Sequence, residues 1–428
     1  MMKFTWLGVL LALGAAHAAA AFQVTTFNRD GLLLWTNALT PGICTVQTAT
    51  QASGPWTMGP NAFATNSVGG LTLTIGPGPR FERLLAVDVS ATPQGFTNLI
   101  SSYGILETVA GTGLGRTDNV SYWSAAYEGG PAAAAALSRP HIAMADRFGN
   151  IYIADKNSHS ILKIASDGTI HTHAGTHLGG FNGEGPAPAT SLQLNYPNGL
   201  WAKADGTVYI LDTDNGRVRR VTTNGVMTTL FMATADGSPV ATGRGVWVKD
   251  DESLAYFCAG TKLKSWTPAN GVQTLASRFA ELGTFCVEPN GELVLCDRGA
   301  HLVYRVRPDG STQVLAGNGT TTGGGDGSIG LITGLAGVRS PWPVPTGGYL
   351  LLLHEGCQLW YLDAGGIIHL LLNGGPNYPH SGDGAFFYEP AVPKISEGRA
   401  VTMDWQGNLL ICESDYGYIR RVRFQRIP

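Results

Sequence analysis

The sequence predicts an all-β chain: a six-bladed β-propeller with its two chain ends paired in one sheet, preceded by a small β-rich module. Three observations carry this expectation. The 428 residues include 58 glycines while only 14% are charged, a composition suited to many short strands joined by tight turns. A glycine followed by a run of apolar residues recurs as "GNIYIAD" at Gly149, "GTVYILD" at Gly206, "GELVLCD" at Gly291, "GGYLLLLH" at Gly347 and "GNLLICE" at Gly407, and "ESLAYFCA" at Glu252 makes a sixth copy. The last copy, "GNLLICESDYGYIRRVRFQRIP", lacks the apolar run that follows the "DG" turn in earlier copies.

Taken in chain order, residues 1–21 hold Lys3, a short apolar run and the small-residue stretch "AHAAAA", the pattern of a secretory signal. A membrane anchor needs about 20 apolar residues, and this run is too short. Export permits disulfides, yet Cys44, Cys258, Cys286, Cys296, Cys357 and Cys412 show no C-x-x-C spacing, so neither a disulfide framework nor a zinc site is expected. A cross-strand Cys286–Cys296 bridge stays open, and Cys296 and Cys412 read as buried packing residues. Residues 22–95 show short strands between Gly-Pro turns and are expected to form the separate β module, with residues 92–102 as a linker.

Residues 103–424 carry the six copies. Each reads as an apolar segment, a turn, a second strand, a turn near Asp or Asn, a third strand ending in a basic residue, a "DG" turn and a fourth strand. Lys163, Arg220, Arg305 and Arg421 share one repeat position; Asp155, Asp212, Asp297 and Glu413 share another. A sheet repeated this way must bury both faces, which radial packing achieves. The stretch "GILETVAGTG" at residues 104–113 matches the fourth strand "GTIHTHAGTH" at 168–177 but has no blade of its own, so it is expected to complete the truncated sixth copy.

In detail the repeat resembles the NHL propeller family, best seen in "YPNGLWAKADGTVYILDTDNGRVRRV". The connector "AGTHLGGFNGEGPAPATSLQLNYP" is similar to those of secreted bacterial members. The resemblance covers residues 103–424 and implies the fold. For function it implies only a range, because such propellers include protein binders, RNA binders, sensor domains and a few lyases.

Basic and acidic residues, 28 and 31, are mixed along the chain without a basic stripe, which argues against a nucleic-acid partner. No nucleophile elbow, P-loop or dinucleotide fingerprint is present. The repeated acids are read as turn-supporting side chains that accept backbone N–H bonds rather than as a calcium ring. His171, His173 and His177, with His369 at the position of His171, are read as a solvated face of an outer strand rather than a metal site. Propellers bind where first strands converge on an axial mouth. Eight residues before the repeat glycine lie His141, Asn198, Gly283 and Arg399, with Arg244 and Trp342 assigned to the equivalent places in the irregular copies. The expected function is an exported, periplasmic or extracellular recognition protein, non-enzymatic, binding a protein, peptide or glycan at that mouth through His141, Asn198, Arg244, Trp342 and Arg399. No catalytic residue, metal ligand or cofactor is assigned. The alternative is a metal-dependent propeller enzyme of the lyase or lactonase type, with a divalent metal on the axis.

Overall fold

The computed structural model describes residues 21–76, 80–114, 117–240, 242–375, 381–389 and 391–425. The expected signal peptide, residues 1–21, lies outside them but for its last residue. The chain divides into two compact units.

The first unit runs through Ile105 and includes Val344–Gly347 and the segment from Val422. It holds two three-stranded sheets. In one, Leu32–Thr36 lies between Gln23–Phe27 and Gly69–Thr72; in the other, Gly42–Ala49 lies between Thr57–Ala64 and Phe81–Asp88. Leu33, Trp35, Cys44, Val46 and Leu84 form its core. The expected linker is instead largely a helix, Pro93–Ser101. Thr92 caps it by accepting from the Gly95 N–H, proline sits in its first turn, and Leu99 and Ile100 are buried. Two buried apolar residues and a satisfied cap turn what reads as a polar connector into a packed element. Further ties within the unit are Asn61 Nδ2 donating to the Ser102 carbonyl at 2.7 Å and a 4.2 Å stack of Phe63 on Phe424.

Among the described residues the second unit contains six sheets of four or five strands, built mainly by antiparallel pairing of successive strands, while Pro393–Ile395 pairs parallel with Ile368–Gly374. Their first strands are Pro140–Ala145, Pro197–Ala202, Val246–Val248, Leu282–Val287, Val338–Pro343 and Gly398–Met403. Two sheets gain a fifth short strand, Ala187–Pro188 in the second and Pro393–Ile395 in the fifth. In the sixth sheet the strand beside Tyr418–Val422 is Leu106–Ala110, from the front of the chain, and Arg421 Nε pairs with Glu107 at 2.6 Å across that junction. Each first strand touches the first strand of the next sheet, and that of the sixth touches that of the first.

This all-β arrangement fits a β-propeller, and its energetics explain the sequence pattern. Every second strand, from Ile151–Asp155 to Leu409–Glu413, is buried along its whole length. Strands covered on both faces read as continuous apolar runs rather than as alternation. The apolar clusters straddle consecutive sheets: Met144, Tyr152, Ile210 and Val221 join the first two, and Ala143, Ile153, Leu410 and Ile419 join the first to the sixth. At roughly 1.5–3 kcal/mol for each fully buried large aliphatic side chain, these inter-sheet layers dominate the stability of the unit.

The repeated acids are buried more deeply than turn support requires. Asp155 accepts from the Ser138 N–H, Asp212 from Asn195, Asp297 from Ala280 and Glu281, and Glu413 from Ser396. These donors lie 16 or 17 residues earlier, so each carboxylate latches the loop that leads into its own sheet. Local turn bonds exist as well, from Asn215 to Asp212 and from Ala300 to Asp297. Glu413 also meets the buried Arg420 at 2.6 Å, and Asp212 lies 3.6 Å from the buried Arg219.

The cysteines are all free and buried. Cys286 lies opposite Val294, not Cys296, which corrects the possible cross-strand bridge: the two cysteines are out of register. Among the described residues no helix is long and apolar enough to cross a membrane.

Candidate functional site

The first strands of the second unit share a local irregularity that positions the candidate site. Pro140 pairs with Asp155 and Ile142 with Ala154, leaving His141 as an extra residue without a partner. The same bulge isolates Asn198, Arg339 and Arg399. In the fourth sheet it takes in Gly283, and in the third Arg244 precedes the first paired residue, Val246. A bulge bends the strand and re-aims the extra side chain, which is why such features recur beside functional sites. The backbone just upstream is strained in three sheets: Arg139, Tyr196 and Thr242 hold positive φ angles of 60°, 48° and 57°. Each such non-glycine conformation costs on the order of 1–3 kcal/mol.

The equivalent positions are therefore His141, Asn198, Arg244, Gly283, Arg339 and Arg399. Trp342 does not belong to the set. It lies three residues beyond Arg339, opposite Leu350, and packs against the apolar cluster of the first two sheets. The signal for Arg339 was present: counting eight residues back from Gly347 lands on it, as the same count from Gly149 lands on His141. Gly283 is glycine for a steric reason, since a Cβ there would run into the Arg339 carbonyl oxygen.

These side chains lie in one electrostatic neighbourhood. Burial, then the guanidiniums of Arg399 and Arg339, then Lys156 and Arg244, hold His141 well below the usual histidine range, so it is neutral. Burial, followed by Arg339 and Arg399, does the same to His354, which lies one residue past the repeated-acid position of the fifth copy, level with Lys156 and Arg298. Burial first, then Arg139 and Arg399, bring Lys156 down to about 8. Carboxylates answer most of the cations. Arg244 reaches Glu281 at 2.8 Å, and Arg298 bridges Glu281 and Glu355 at 3.0 and 3.1 Å. Arg139 and Arg399 meet Asp415 at 2.8 and 3.3 Å. Burial, then the neighbouring Asp415, push Glu397 up to about 7. Burial works against Asp415, but a hydrogen bond from Glu397 and the guanidiniums of Arg399 and Arg139 hold it below the usual range. Several buried polar atoms have no hydrogen-bond partner among the described residues: Nδ1 of His141 and His354, Oδ1 of Asn198, and both terminal nitrogens of Arg339. Sequence reasoning missed Arg139, Lys156, Glu281, Arg298, His354, Glu397 and Asp415, which come from loops beside the first strands rather than from the aligned position.

The histidine cluster is not one site. His171 Nδ1 lies 3.1 Å from Glu128. His177 stacks on Trp123 at 4.9 Å and bonds Ser160 and Thr172. His173 departs from the expected solvated face: its ring meets Tyr152 edge-on, and burial brings it down to about 4. Among the described residues no group of three or more His, Cys, Asp or Glu side chains is placed to hold a metal ion.

No family model matches the chain, and no curated protein matches its sequence. Solved structures do. The chain is similar to a structural genomics protein of unknown function from Bacteroides thetaiotaomicron, at 12% identity and a TM-score of 0.57, over 96% of this chain and 99% of that one. It is similar to an auxiliary nutrient binding protein from the same organism, at 13% identity and a TM-score of 0.55, over 92% and 93%. A gluconolactonase-like protein follows at 11% identity and a TM-score of 0.50, over 79% and 97%. At these identities the likeness speaks for the fold alone, a propeller-like all-β architecture.

Proposed function

We propose that this chain is an exported binding protein whose second unit is a closed six-bladed propeller of the NHL type, taking a polar ligand such as a peptide or glycan at the ring of first-strand bulges. The observation that carries the reading is that, of the six equivalent positions, His141, Asn198 and Arg339 are buried and have polar atoms without a partner among the described residues. Buried polar groups are ordinarily satisfied, and a bound molecule would satisfy these. Similarity to a nutrient binding protein over more than nine-tenths of both chains is consistent with ligand capture. Periplasmic or extracellular placement belongs to the same proposal and follows from the expected signal peptide.

The test is binding of the purified full chain to glycan and peptide arrays, with hits quantified by calorimetry. Asn198→Ala is the informative variant, since its Oδ1 has no partner among the described residues; it should weaken binding at least tenfold and leave the melting temperature nearly unchanged. Arg399→Ala is less clean, because Arg399 also holds Asp415. A second reading, an enzyme of the lyase or lactonase type, draws support from the likeness to a gluconolactonase-like protein at a TM-score of 0.50. Stoichiometric divalent metal in the purified protein, lost in His141→Ala together with lactone turnover, would displace the binding reading.

A further inference from the structure

Arg339 stands apart among the arginines of the ring. Arg139, Arg244, Arg298 and Arg399 each have a carboxylate within salt-bridge distance. Among the described residues Arg339 has none, although it is only 1% exposed and both its terminal nitrogens lack a hydrogen-bond partner. The nearby acids are engaged elsewhere: Glu281 by Arg244 and Arg298, Asp415 by Arg139 and Arg399. A buried guanidinium without a counter-charge is costly to fold, and its planar fork matches a carboxylate held in bidentate fashion. Its position at a bulge, beside a glycine that lets the neighbouring strand approach its backbone, keeps it in the ring rather than between sheets.

We infer that Arg339 is the anchor for a ligand carboxylate, and that the ligand is a small hydroxylated acid of the sugar-acid class. The carboxylate would supply the missing counter-charge. The hydroxyls would meet the other unanswered atoms, donating to Asn198 Oδ1 and bonding His141 Nδ1, whose ring is neutral. The placement rests on the proposed binding function and narrows it from polar ligands in general to one chemical class.

The test uses calorimetry on the full chain with galacturonate and gluconate as probes, and with galactose, succinate and sulfate as controls. Both sugar acids should bind, galactose and sulfate should not, and succinate should bind more weakly. Arg339→Met should lower sugar-acid affinity at least tenfold, with Arg339→Lys intermediate because it keeps the charge but loses the fork. If Arg339→Met fails to fold, Arg339→Lys and the controls still decide. Unchanged affinity in either variant, equal binding of galactose or sulfate, or no binding of either acid at millimolar concentration overturns the carboxylate site. Array binding of a neutral glycan or peptide that Asn198→Ala abolishes and Arg339→Met leaves intact would overturn it while the broader binding function stands.

Discussion

Asp155 shows how burial sets the chemistry of a single side chain. It is fully buried, and among the described residues no cation lies within salt-bridge distance of it and its Oδ2 lacks a hydrogen-bond partner. Burial pushes it up to about 6, from an ordinary value of 3.8, despite bonds from Ser158 and Ser138. A carboxyl raised on folding favours the protonated native state. Its stabilising contribution is therefore full below pH 3.8 and is lost as pH rises through about 6, by roughly 2–3 kcal/mol in total. Asp155→Asn keeps an acceptor for the Ser138 N–H and removes the titration, so urea midpoints measured from pH 4 to pH 7 should fall less in the variant than in the wild type. Asp212 differs, because it faces the buried Arg219. Its removal leaves that guanidinium uncompensated, and Asp212→Ala should cost about 3–5 kcal/mol rather than the roughly 1 kcal/mol of a lost turn bond. Chemical denaturation of the variant separates the two values.

At the scale of the element, the first strands do two jobs. They pack on one another from sheet to sheet, and in four of them a bulge isolates one residue, His141, Asn198, Arg339 or Arg399. Gly283 joins the two roles, since the fourth first strand approaches the fifth so closely that only a hydrogen fits. Gly283→Ala should destabilise by about 1–3 kcal/mol, as overpacking of a tight interior does. It should also displace the strand carrying Arg339, so ligand affinity should fall in parallel with the melting temperature. Retained affinity in a destabilised variant would separate the packing role from the site.

For the whole molecule, the telling feature is a strand from the front of the chain completing the sixth sheet at the back. Deleting residues 22–95 removes no strand of the second unit, whereas deleting residues 22–110 removes Leu106–Ala110 and frees the edge at Tyr418–Val422. Both truncations lose the Phe63–Phe424 stack; they differ by residues 96–110, which hold the rest of the helix Pro93–Ser101 and the strand Leu106–Ala110, and of these only the strand belongs to the sixth sheet. The shorter deletion should leave a monomer with a cooperative melt. The longer one should lower the melting temperature by ten degrees or more and aggregate, because an open edge pairs with other chains; light scattering alongside calorimetry reads both outcomes.

How much of this was legible in the residues differs by level. The six copies, their second strands and the orphan stretch ahead of them were visible because repetition and apolar runs are local properties of the chain, and a strand buried on both faces must be apolar throughout. His141, Asn198, Arg244 and Arg399 could be found by counting back from a repeated glycine. Trp342 reads as the fifth-copy position only because that copy is irregular, whereas register alone decides that the bulge there presents Arg339. The helix Pro93–Ser101 was read as a linker because its burial depends on partners distant in sequence. The pairing of charges around the ring was beyond local reading for the same reason. Glu281, Asp415 and Arg339 lie far apart along the chain, and only the packing of successive sheets determines that two of them find opposite charges while Arg339 is left without one.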